Sequence, residues 1–457
     1  MPTVSLVCEG FERQASATGR GLGFDGMALA VLKGHVDSQP TGEMLSSLLA
    51  TTIDEVIKGL TCSIDLDREA STEPTALEVV ASGTIDHIVE LFADRGWSDG
   101  LPIVPPTRDR VERFLEAGGY DPWRSLGIAR PSGRDMTLWS IAVNAVMAGC
   151  RAEQMPVVIA LAEVLADPGY GVEHSGNTTG ADALIVLNGP CAAELGFVSG
   201  PGALRDGNQA NTSVGRWLRL YLRNVCGFTY DQHDKGTFGN SSRVVLAEHE
   251  ETLRAIDWPP LSADFGFAAG DDVVSVARMN SGIIVGSVFG SAPPDIIPYL
   301  ADGLVRASGW ELTHVCGLGR GDYRPLLILS PNIARTFAKA GWSKDDVRNA
   351  LYDAARLPAW KFEKLIGEWS NLTTGRRLLT DMAASGDVPA VFALSNDPDR
   401  LVPIVTAPDK ILIAVAGDPN RANAFVLSND GPHGQWTAKA VDRTMSQDLM
   451  CRVDGHP

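Results

Sequence analysis

The sequence predicts an α/β protein in which a small parallel β-α-β-α unit is followed by a large mixed α/β domain. Two observations predict this class. Short apolar runs bounded by glycine or proline alternate with longer segments whose apolar residues recur at helical spacing. The first four of these segments are also set apart from the rest by a charged stretch without apolar periodicity. Such alternation is typical of sheets that are covered by helices.

The N-terminal unit is predicted to span residues 1–62. Its elements are strand 3–8, helix 12–21, strand 27–32 and a helix after Pro40-Thr41. The apolar stripe of that last helix is wider than a lone surface helix requires. Because a stable independent sheet needs three or more strands, we expect this half-sheet to be completed by strands elsewhere in the chain or by another subunit.

Residues 63–75 are predicted to be a linker, and residues 76–457 a large α/β domain whose division into two subdomains stays open. A helix is expected from Ala76 onward, followed by a proline-rich extended segment whose Thr107 caps the next helix. The further predicted helices are 108–117, 138–148 and 155–166, and the predicted strands are 183–187, 273–277, 283–288, 326–329, 388–394 and 411–416.

Composition excludes several classes of partner. The 457 residues are 44% hydrophobic and 21% charged, as in soluble globular proteins. A net charge of -17 argues against nucleic acid and anionic membranes, which both require local positive charge. No run of eighteen apolar residues and no signal-peptide pattern occurs, so we expect a cytoplasmic protein. Seven scattered cysteines without a Cys-x-x-Cys pair disfavour a disulfide framework or a closed zinc site.

The segment 177–224 is the first candidate site. A buried strand ends at Asn188, where open α/β sheets keep their ligands, and a glycine-rich loop leads into an amphipathic helix with Asn211 or Thr212 as its N-cap. Arg205 and Arg216 lie near that helix start, so we predict an anion-binding substrate site. The alternative is an ordinary capped helix after a surface loop, because no phosphate-loop fingerprint is present.

Histidines supply the candidates for proton transfer. His174 follows Glu173 in a polar loop ahead of the strand that ends at Asn188, and His35 follows the second strand of the N-terminal unit. Histidine titrates near neutral pH, which suits it to general acid-base catalysis. Polar loops ahead of strands often have this composition without any catalytic role.

Asp234, Glu248 and His249 form a weaker candidate cluster. Carboxylates and imidazoles close together in sequence are ligands that a divalent metal accepts, although solvated charge is the commoner reason for such runs. No His-Glu-x-x-His motif occurs. The sequence identifies no cofactor, and a divalent metal stays an open alternative.

Scattered short motifs resemble the UGSC-motif (seleno)protein family. Thr3 to Thr61 is similar to the second half of that family's N-terminal α/β domain, with Glu9-Gly10-Phe11 in place of the usual Pro-Phe pair and Gly34-His35 in place of the usual His-Pro pair. The remainder is similar to the large domain that is fused to, or accompanies, such proteins. The motifs that carry this second similarity are Asp99-Gly100-Leu101-Pro102, Asn188-Gly189-Pro190, Ala210-Asn211, Gly215-Arg216, Trp258-Pro259-Pro260-Leu261 and Gly341-Trp342-Ser343-Lys344-Asp345.

The family's Sec/Cys-Gly-Ser-Cys motif is absent from this sequence. The resemblance therefore implies that a second subunit carries the redox-active pair. The leading hypothesis is an enzyme subunit that acts on a small anionic substrate by thiol- or selenol-assisted reduction, elimination or bond formation. One alternative is a self-sufficient lyase or hydrolase, with or without a metal, built from Glu173, His174, Asp234, Glu248 and His249. Another is a non-catalytic assembly or substrate-delivery protein.

Overall fold

A computed structural model of the chain has the predicted α/β class. It describes residues 3–21, 24, 26–36, 39–62, 74–230, 233–240, 243–316, 323–370, 377–433 and 435–443. The predicted linker therefore lies almost entirely outside the described residues, at 63–73. None of the helices in the described part is long and apolar enough to cross a lipid bilayer.

The N-terminal unit contains the predicted parallel pair of strands. Strands β1 (Ser5–Cys8) and β2 (Leu29–Leu32) are parallel, with Ser5 opposite Leu29, and helix α1 (Glu12–Gly21) connects them. The predicted third segment consists of α2 (Thr41–Ser47), one π turn at Leu48–Thr52 and α3 (Ile53–Thr61). Among the described residues the pair remains a two-stranded sheet.

The long helical segment 41–61 covers one edge of that pair and exposes its own apolar stripe. The Val31 N–H donates to the Glu55 carboxylate at 2.7 Å, and the Val31 carbonyl accepts from Thr52 Oγ1 at 2.9 Å, so the outer edge of β2 is already bonded. On the stripe the exposed fractions are 56% for Leu45, 64% for Leu49, 38% for Ile53, 53% for Ile57 and 42% for Leu60. Leu48 and Val56 of the stripe predicted from the sequence are half-buried, and the five exposed residues face away from the described part of this chain.

The large domain alternates strands and helices along its length. Its helices are α4 (Ile85–Asp94), α5 (Arg108–Glu116), α6 (Leu138–Ala148), α7 (Met155–Ala166), α8 (Cys191–Glu194), α9 (Gln209–Tyr221), α10 (Glu250–Ala255), α11 (Pro293–Ala307), α12 (Pro331–Lys339), α13 (Lys344–Ala354), α14 (Ala359–Glu363) and α15 (Leu379–Ser385). Its strands are β3 (Ser125–Ile128), β4 (Asp135–Thr137), β5 (Asp182–Asn188), β6 (Val245–Ala247), β7 (Val273–Val285), β8 (Leu326–Leu329), β9 (Arg356–Pro358), β10 (Leu401–Pro403), β11 (Leu412–Val415), β12 (Ala424–Asn429) and β13 (Thr437–Ala440).

A mixed seven-stranded sheet organises this domain. The strand order is β11-β8-β12-β7-β5-β6, and β13 also pairs with β7. The pairs β5/β6 and β8/β11 are parallel, whereas β7 and β12 run antiparallel to their neighbours. Two small antiparallel pairs, β3/β4 and β9/β10, lie outside it.

Buried apolar side chains form a core on each face of the sheet. Strand β5 shows the alternation: Ile185 and Leu187 pack into a cluster with α6, α7 and α9, whereas Leu184 and Val186 pack into a cluster on the opposite face. A further cluster joins α11, α12 and α13 to β8 and β11. The sheet is therefore covered on both faces, which explains why its strands are continuous apolar runs.

Several predicted elements differ from those observed. The predicted strand 388–394 is wrong, since Ala390–Ala393 is a 3-10 turn whose Phe392 packs edge-on against Phe362 at 5.6 Å. The strands predicted at 273–277 and 283–288 are one strand, β7, because β12 pairs with its polar middle. The helix expected from Ala76 begins at Ile85, where the Thr84 side chain caps it.

Candidate active site

The candidate site is built around a buried arginine in strand β7. Arg278 lies on β7 opposite Ala183 of β5 and is 1% exposed. Its Nη2 donates to the Tyr170 carbonyl at 2.8 Å, its Nη1 lies 3.5 Å from Ser175 Oγ, and the guanidinium carbon is 4.5 Å from the centre of the Tyr170 ring. No ion pair between described residues includes Arg278. A buried cation bonded only to neutral oxygens is unusual in proteins.

Three histidines come together beside this arginine. The rings of His174 and His433, both exposed residues, have centroids 4.5 Å apart, and the buried His314 lies 6.4 Å from His433 at a steep angle. Each side chain is carried by a short 3-10 turn, at Val172–His174, Trp310–His314 and Gly431–His433. The sequence separates these turns by more than a hundred residues, so only the tertiary fold brings them together.

Two glycines permit this close packing. Gly171 has a φ of 59°, and a Cβ there would lie 3.1 Å from His174 Cδ2. Gly431 has a φ of 53°, and a Cβ there would lie 2.3 Å from His314 Cγ. Both backbone conformations are ones that residues with a side chain rarely adopt. A side chain at Gly431 would also displace the His314 ring.

A buried carboxylate completes the cluster. Asp430, 1% exposed, follows β12 directly, and its backbone N–H donates to the Arg278 carbonyl at 3.0 Å. The Asp430 carboxylate accepts from Asn280 Nδ2 at 3.2 Å and from the Asn177 amide. Burial raises the pKa of Asp430, and the nearby His433 and Arg278 charges oppose that rise. We call His174, His314, His433, Arg278 and Asp430 the histidine site.

The electrostatics of the histidine site favour a neutral His174. Partial burial lowers the pKa of His174, and the charges of His433 and Arg278 lower it further, while Glu173 on the same turn opposes them. A neutral imidazole at pH 7 can accept a proton, which a charged one cannot. The site thus combines an exposed base, a second imidazole within ring contact and a buried guanidinium.

The residues predicted to bind an anion at α9 have partners within the chain. The helix begins at Gln209, with Asn208 rather than Asn211 or Thr212 as N-cap. Asn211 is buried and bonds the backbones of Val198 and Val245, because its amide lies beneath the loop. Thr212 Oγ1 accepts from Gly207 N–H at 3.2 Å, and Arg205 is exposed on the loop.

Arg216 is engaged in a two-point ion pair. Its Nε and Nη2 contact the Asp99 carboxylate at 2.9 and 2.8 Å, and Nη2 also reaches the carbonyls of Leu101 and Pro102. This arrangement fastens the proline-rich segment to α9. A substrate-binding role for these α9 residues stays a prediction, and the contacts present give Arg216 and Asn211 a structural role.

Asn188 and Glu248 meet in a second buried cluster, at the carboxyl ends of β5 and β6. The Glu248 carboxylate accepts from Asn188 Nδ2 at 2.6 Å and from the N–H groups of Leu261 at 2.7 Å and Val415 at 3.0 Å. Burial raises the pKa of Glu248, and the nearby Lys344 charge opposes that rise. His249 caps α10 by accepting from Thr252 N–H. These contacts connect the ends of β5 and β6 to β11, which stands at the opposite end of the strand order.

The remaining predicted residues lie in two other places. Asp234 packs on the loop that carries His174, where burial raises its pKa. His35 contacts Phe11 in the N-terminal unit, with ring centroids 5.5 Å apart. No three His, Cys, Asp or Glu side chains in the described ranges are arranged to hold a metal ion, so Asp234, Glu248 and His249 do not form the predicted cluster there.

The described thiols do not join the histidine site. All six described cysteines are free, and burial raises the pKa of Cys150, Cys191, Cys226 and Cys316. Cys62 is exposed and Cys8 is half-buried in the N-terminal unit. A raised pKa keeps a thiol protonated and unreactive at neutral pH.

The sequence pattern predicted a role for His174 but not for the other residues of the histidine site. Arg278 interrupts the apolar run Val273-Val274-Ser275-Val276-Ala277, which is a recognisable signal because a charged residue within a buried strand requires a reason. Asp430 and His433 flank a Gly-Pro pair directly after an apolar run, the position where sheet edges keep ligands. His314 carried no comparable signal.

Comparison with known proteins adds no family assignment. No protein-family model matches the chain, and no curated protein is significantly similar to it. The resemblance based on short motifs accordingly stays a prediction.

Proposed function

We propose that the protein is an enzyme that performs general acid-base chemistry on a small anionic substrate at the histidine site, as a lyase or a hydrolase would. The observation that supports this is Arg278, a guanidinium 1% exposed that forms no ion pair with any described residue. Its Nε is buried and has no hydrogen-bond acceptor among the described residues. An anionic substrate group supplies an ion-pair partner and the missing acceptor for Nε.

Each residue then has a definite task. Arg278 binds the substrate anion and neutralises charge that develops during the reaction. His174, neutral at pH 7 because its pKa is lowered, takes a proton from the substrate or from water. His433, whose ring centroid lies 4.5 Å from that of His174, is placed beside this base as a second proton carrier. Asp430 holds the turn that carries His433 through its bonds to Asn177 and Asn280.

An assay in D₂O tests this proposal, because a lyase reaction introduces deuterium at carbon and a hydrolase reaction is visible as conversion to product. Small carboxylates and phosphate esters are incubated with the protein in D₂O, and ¹H NMR follows conversion and deuterium uptake. Removing a general base typically lowers the rate by about 10²- to 10⁴-fold, so H174Q and H433Q should each show such a loss. His87, exposed on α4, provides the matched control H87Q.

Two results would contradict the proposal. Conversion at the wild-type rate by both H174Q and R278M would place the chemistry elsewhere in the chain. Full biological activity of such variants, with no conversion by any of the proteins, would favour the non-catalytic assembly or delivery role.

A second candidate function concerns a partner subunit. We infer from the exposed stripe at Leu45, Leu49, Ile53, Ile57 and Leu60 that another chain covers the N-terminal unit. The outer edge of β2 is bonded at Val31 by Glu55 and Thr52, and among the described residues no strand pairs with the outer edge of β1. The motif resemblance implies that the partner subunit, and not the protein described here, carries the Cys/Sec-Gly-Ser-Cys pair.

Native mass spectrometry of the protein purified with its neighbouring gene products tests this second candidate. A stoichiometric companion chain with that motif, lost in L49D/I57D and retained in the control L77D, is the expected result. Leu77 is exposed to 48% and lies outside the stripe. A companion that binds L49D/I57D as tightly as the wild type would contradict the role of the stripe.

A further inference from the structure

A groove lies between the N-terminal unit and the large domain. It is a cavity of about 240 Å³ lined by Glu12, Arg13, Ser16, Arg20 and His233. The first four residues belong to α1, and His233 belongs to the segment after Phe228 of the large domain. Since pockets for drug-sized ligands measure about 300–1,000 Å³, this groove has the size for a smaller metabolite.

The two walls of the groove are held in direct contact. Gly21, at the end of α1, packs so closely on the large domain that a Cβ there would lie 1.4 Å from the Pro131 carbonyl oxygen. At the other end of α1, the Phe11 ring centre is 5.9 Å from Lys235 Nζ. These two contacts flank α1 and fix its distance from the segment that carries His233.

The groove is positively charged in a protein whose net charge is -17. Arg13, Ser16 and Arg20 share one face of α1 because they are three and four residues apart. Burial lowers the pKa of His233, and the charges of Arg20, Arg134 and Lys235 lower it further, so several basic groups act on one small region. Glu12 is the single acidic residue of the lining.

The two arginines of the lining form no ion pair with another described residue. The ion pairs formed there include neither Arg13 nor Arg20. Arg13 and Arg20 lie about two helical turns apart on α1, so an anion placed between them is attracted by both positive charges. Guanidinium groups also match the paired oxygens of phosphate and carboxylate groups.

We propose that the groove lined by Arg13, Ser16, Arg20 and His233 binds a small molecule with at least two anionic oxygens, as in a phosphate monoester or a dicarboxylate. Arg13 and Arg20 pair with the oxygens, and Ser16 Oγ donates a hydrogen bond between them. The ligand bridges α1 and the segment that begins at His233, so its binding fastens the N-terminal unit to the large domain. This site is distinct from the histidine site, and the inference does not rest on the function proposed there.

Isothermal titration calorimetry of the full chain at low ionic strength tests the proposal, with inorganic phosphate in one arm and malonate in the other. Binding of phosphate assigns the phosphate class and binding of malonate the dicarboxylate class. In R13Q/R20Q the affinity should fall by about tenfold or more, since each lost bond to a charged group is worth about 1.5–3 kcal/mol. E12Q should bind about two- to fivefold more tightly, because the one acidic neighbour is neutralised.

The control is R108Q/R306Q, which removes two positive charges from exposed helix faces where the arginine side chains are 58% and 56% exposed. Equal loss of affinity in the control and in R13Q/R20Q would show that only net charge matters and would overturn the proposal. Absence of binding by the wild type at millimolar phosphate and malonate would overturn it as well. Circular dichroism of each variant separates lost binding from lost folding, and E12Q provides a change in the opposite direction that unfolding cannot produce.

Discussion

Replacement of Glu248 by alanine should destabilise the large domain severely. The Glu248 carboxylate is 2% exposed and is the acceptor for the backbone N–H groups of Leu261 and Val415 and for the side-chain amide of Asn188. These donors belong to β5, to β11 and to the 3-10 turn Leu261–Phe265, so one side chain joins three segments. The sequence offers Glu248 only as a weak candidate for a metal ligand, beside the commoner reading of solvated charge.

The expected loss of unfolding free energy follows from the buried groups that E248A leaves without a hydrogen-bond or charge partner. A buried donor without an acceptor costs about 1–3 kcal/mol, so the two backbone N–H groups alone account for about 2–6 kcal/mol. Lys344 is also 2% exposed, and the negative charge of Glu248 acts directly on it. Removing one member of a buried charge pair typically costs about 3–5 kcal/mol. We therefore expect E248A to lower the free energy of unfolding by about 4 kcal/mol, and E248Q, which keeps one acceptor oxygen, by about half of that.

Urea denaturation followed by tryptophan fluorescence and by circular dichroism measures this change. The control is E251A, because Glu251 is exposed on the adjacent turn of α10 and should cost under about 1 kcal/mol. A loss below about 1 kcal/mol for E248A would refute the reasoning. If E248A also lost a bound divalent metal while keeping its stability, the metal hypothesis would be supported instead.

Three further perturbations test other parts of the structure. The His174 ring should titrate with an NMR midpoint below the ordinary value of 6.5, and H433Q should raise that midpoint. Because the pKa of His174 is lowered only in the folded state, the unfolded chain binds the proton more readily. The stability of the wild type should therefore fall as the pH falls through about 6.5, and that of H174Q should fall less steeply. A pH profile of stability that is the same in H174Q and the wild type would contradict this. G176A places a Cβ 2.1 Å from the His233 carbonyl oxygen and should cost about 1–3 kcal/mol in thermal unfolding, whereas G200A, with open space around it, should cost under about 1 kcal/mol. R216M removes the two-point bond to Asp99 and should lower the free energy of unfolding by about 1–3 kcal/mol. Proteolysis between Ser98 and Pro106 should be faster in this variant, which reports on the local contact. Proteolysis at the wild-type rate would argue that the ion pair does not fasten that segment.

The sequence correctly predicted those elements whose bounds follow from their own apolar spacing and flanking residues. Helix 12–21, helix 138–148, helix 155–166 and strand 326–329 have the bounds expected from their apolar spacing. The parallel pairing of the first two strands is likewise confirmed. In these cases the spacing of apolar residues and the flanking glycine, proline or threonine carry all the information that the local backbone requires.

Elements whose conformation depends on contacts with distant residues were predicted less well. Residues 388–394 are apolar enough for a strand, yet Phe392 is buried by packing on Phe362 within a 3-10 turn. The polar middle of β7 looked like a break between two strands, because the sequence does not show that β12 pairs with it. Tertiary contacts overrode local preference at both places.

The sequence by itself determined the α/β class, the half-sheet character of the N-terminal unit and the choice of His174 as a residue to examine. Only the tertiary structure decided which residues stand beside it. His314 and His433, from turns far apart in the chain, meet His174 next to Arg278. The same folding gave Arg216, Asn211 and Glu248 partners inside the chain. A side chain's charge and hydrogen-bonding capacity are properties of the residue, but whether they are used internally or left for a ligand depends on non-local neighbours, which one sequence does not specify.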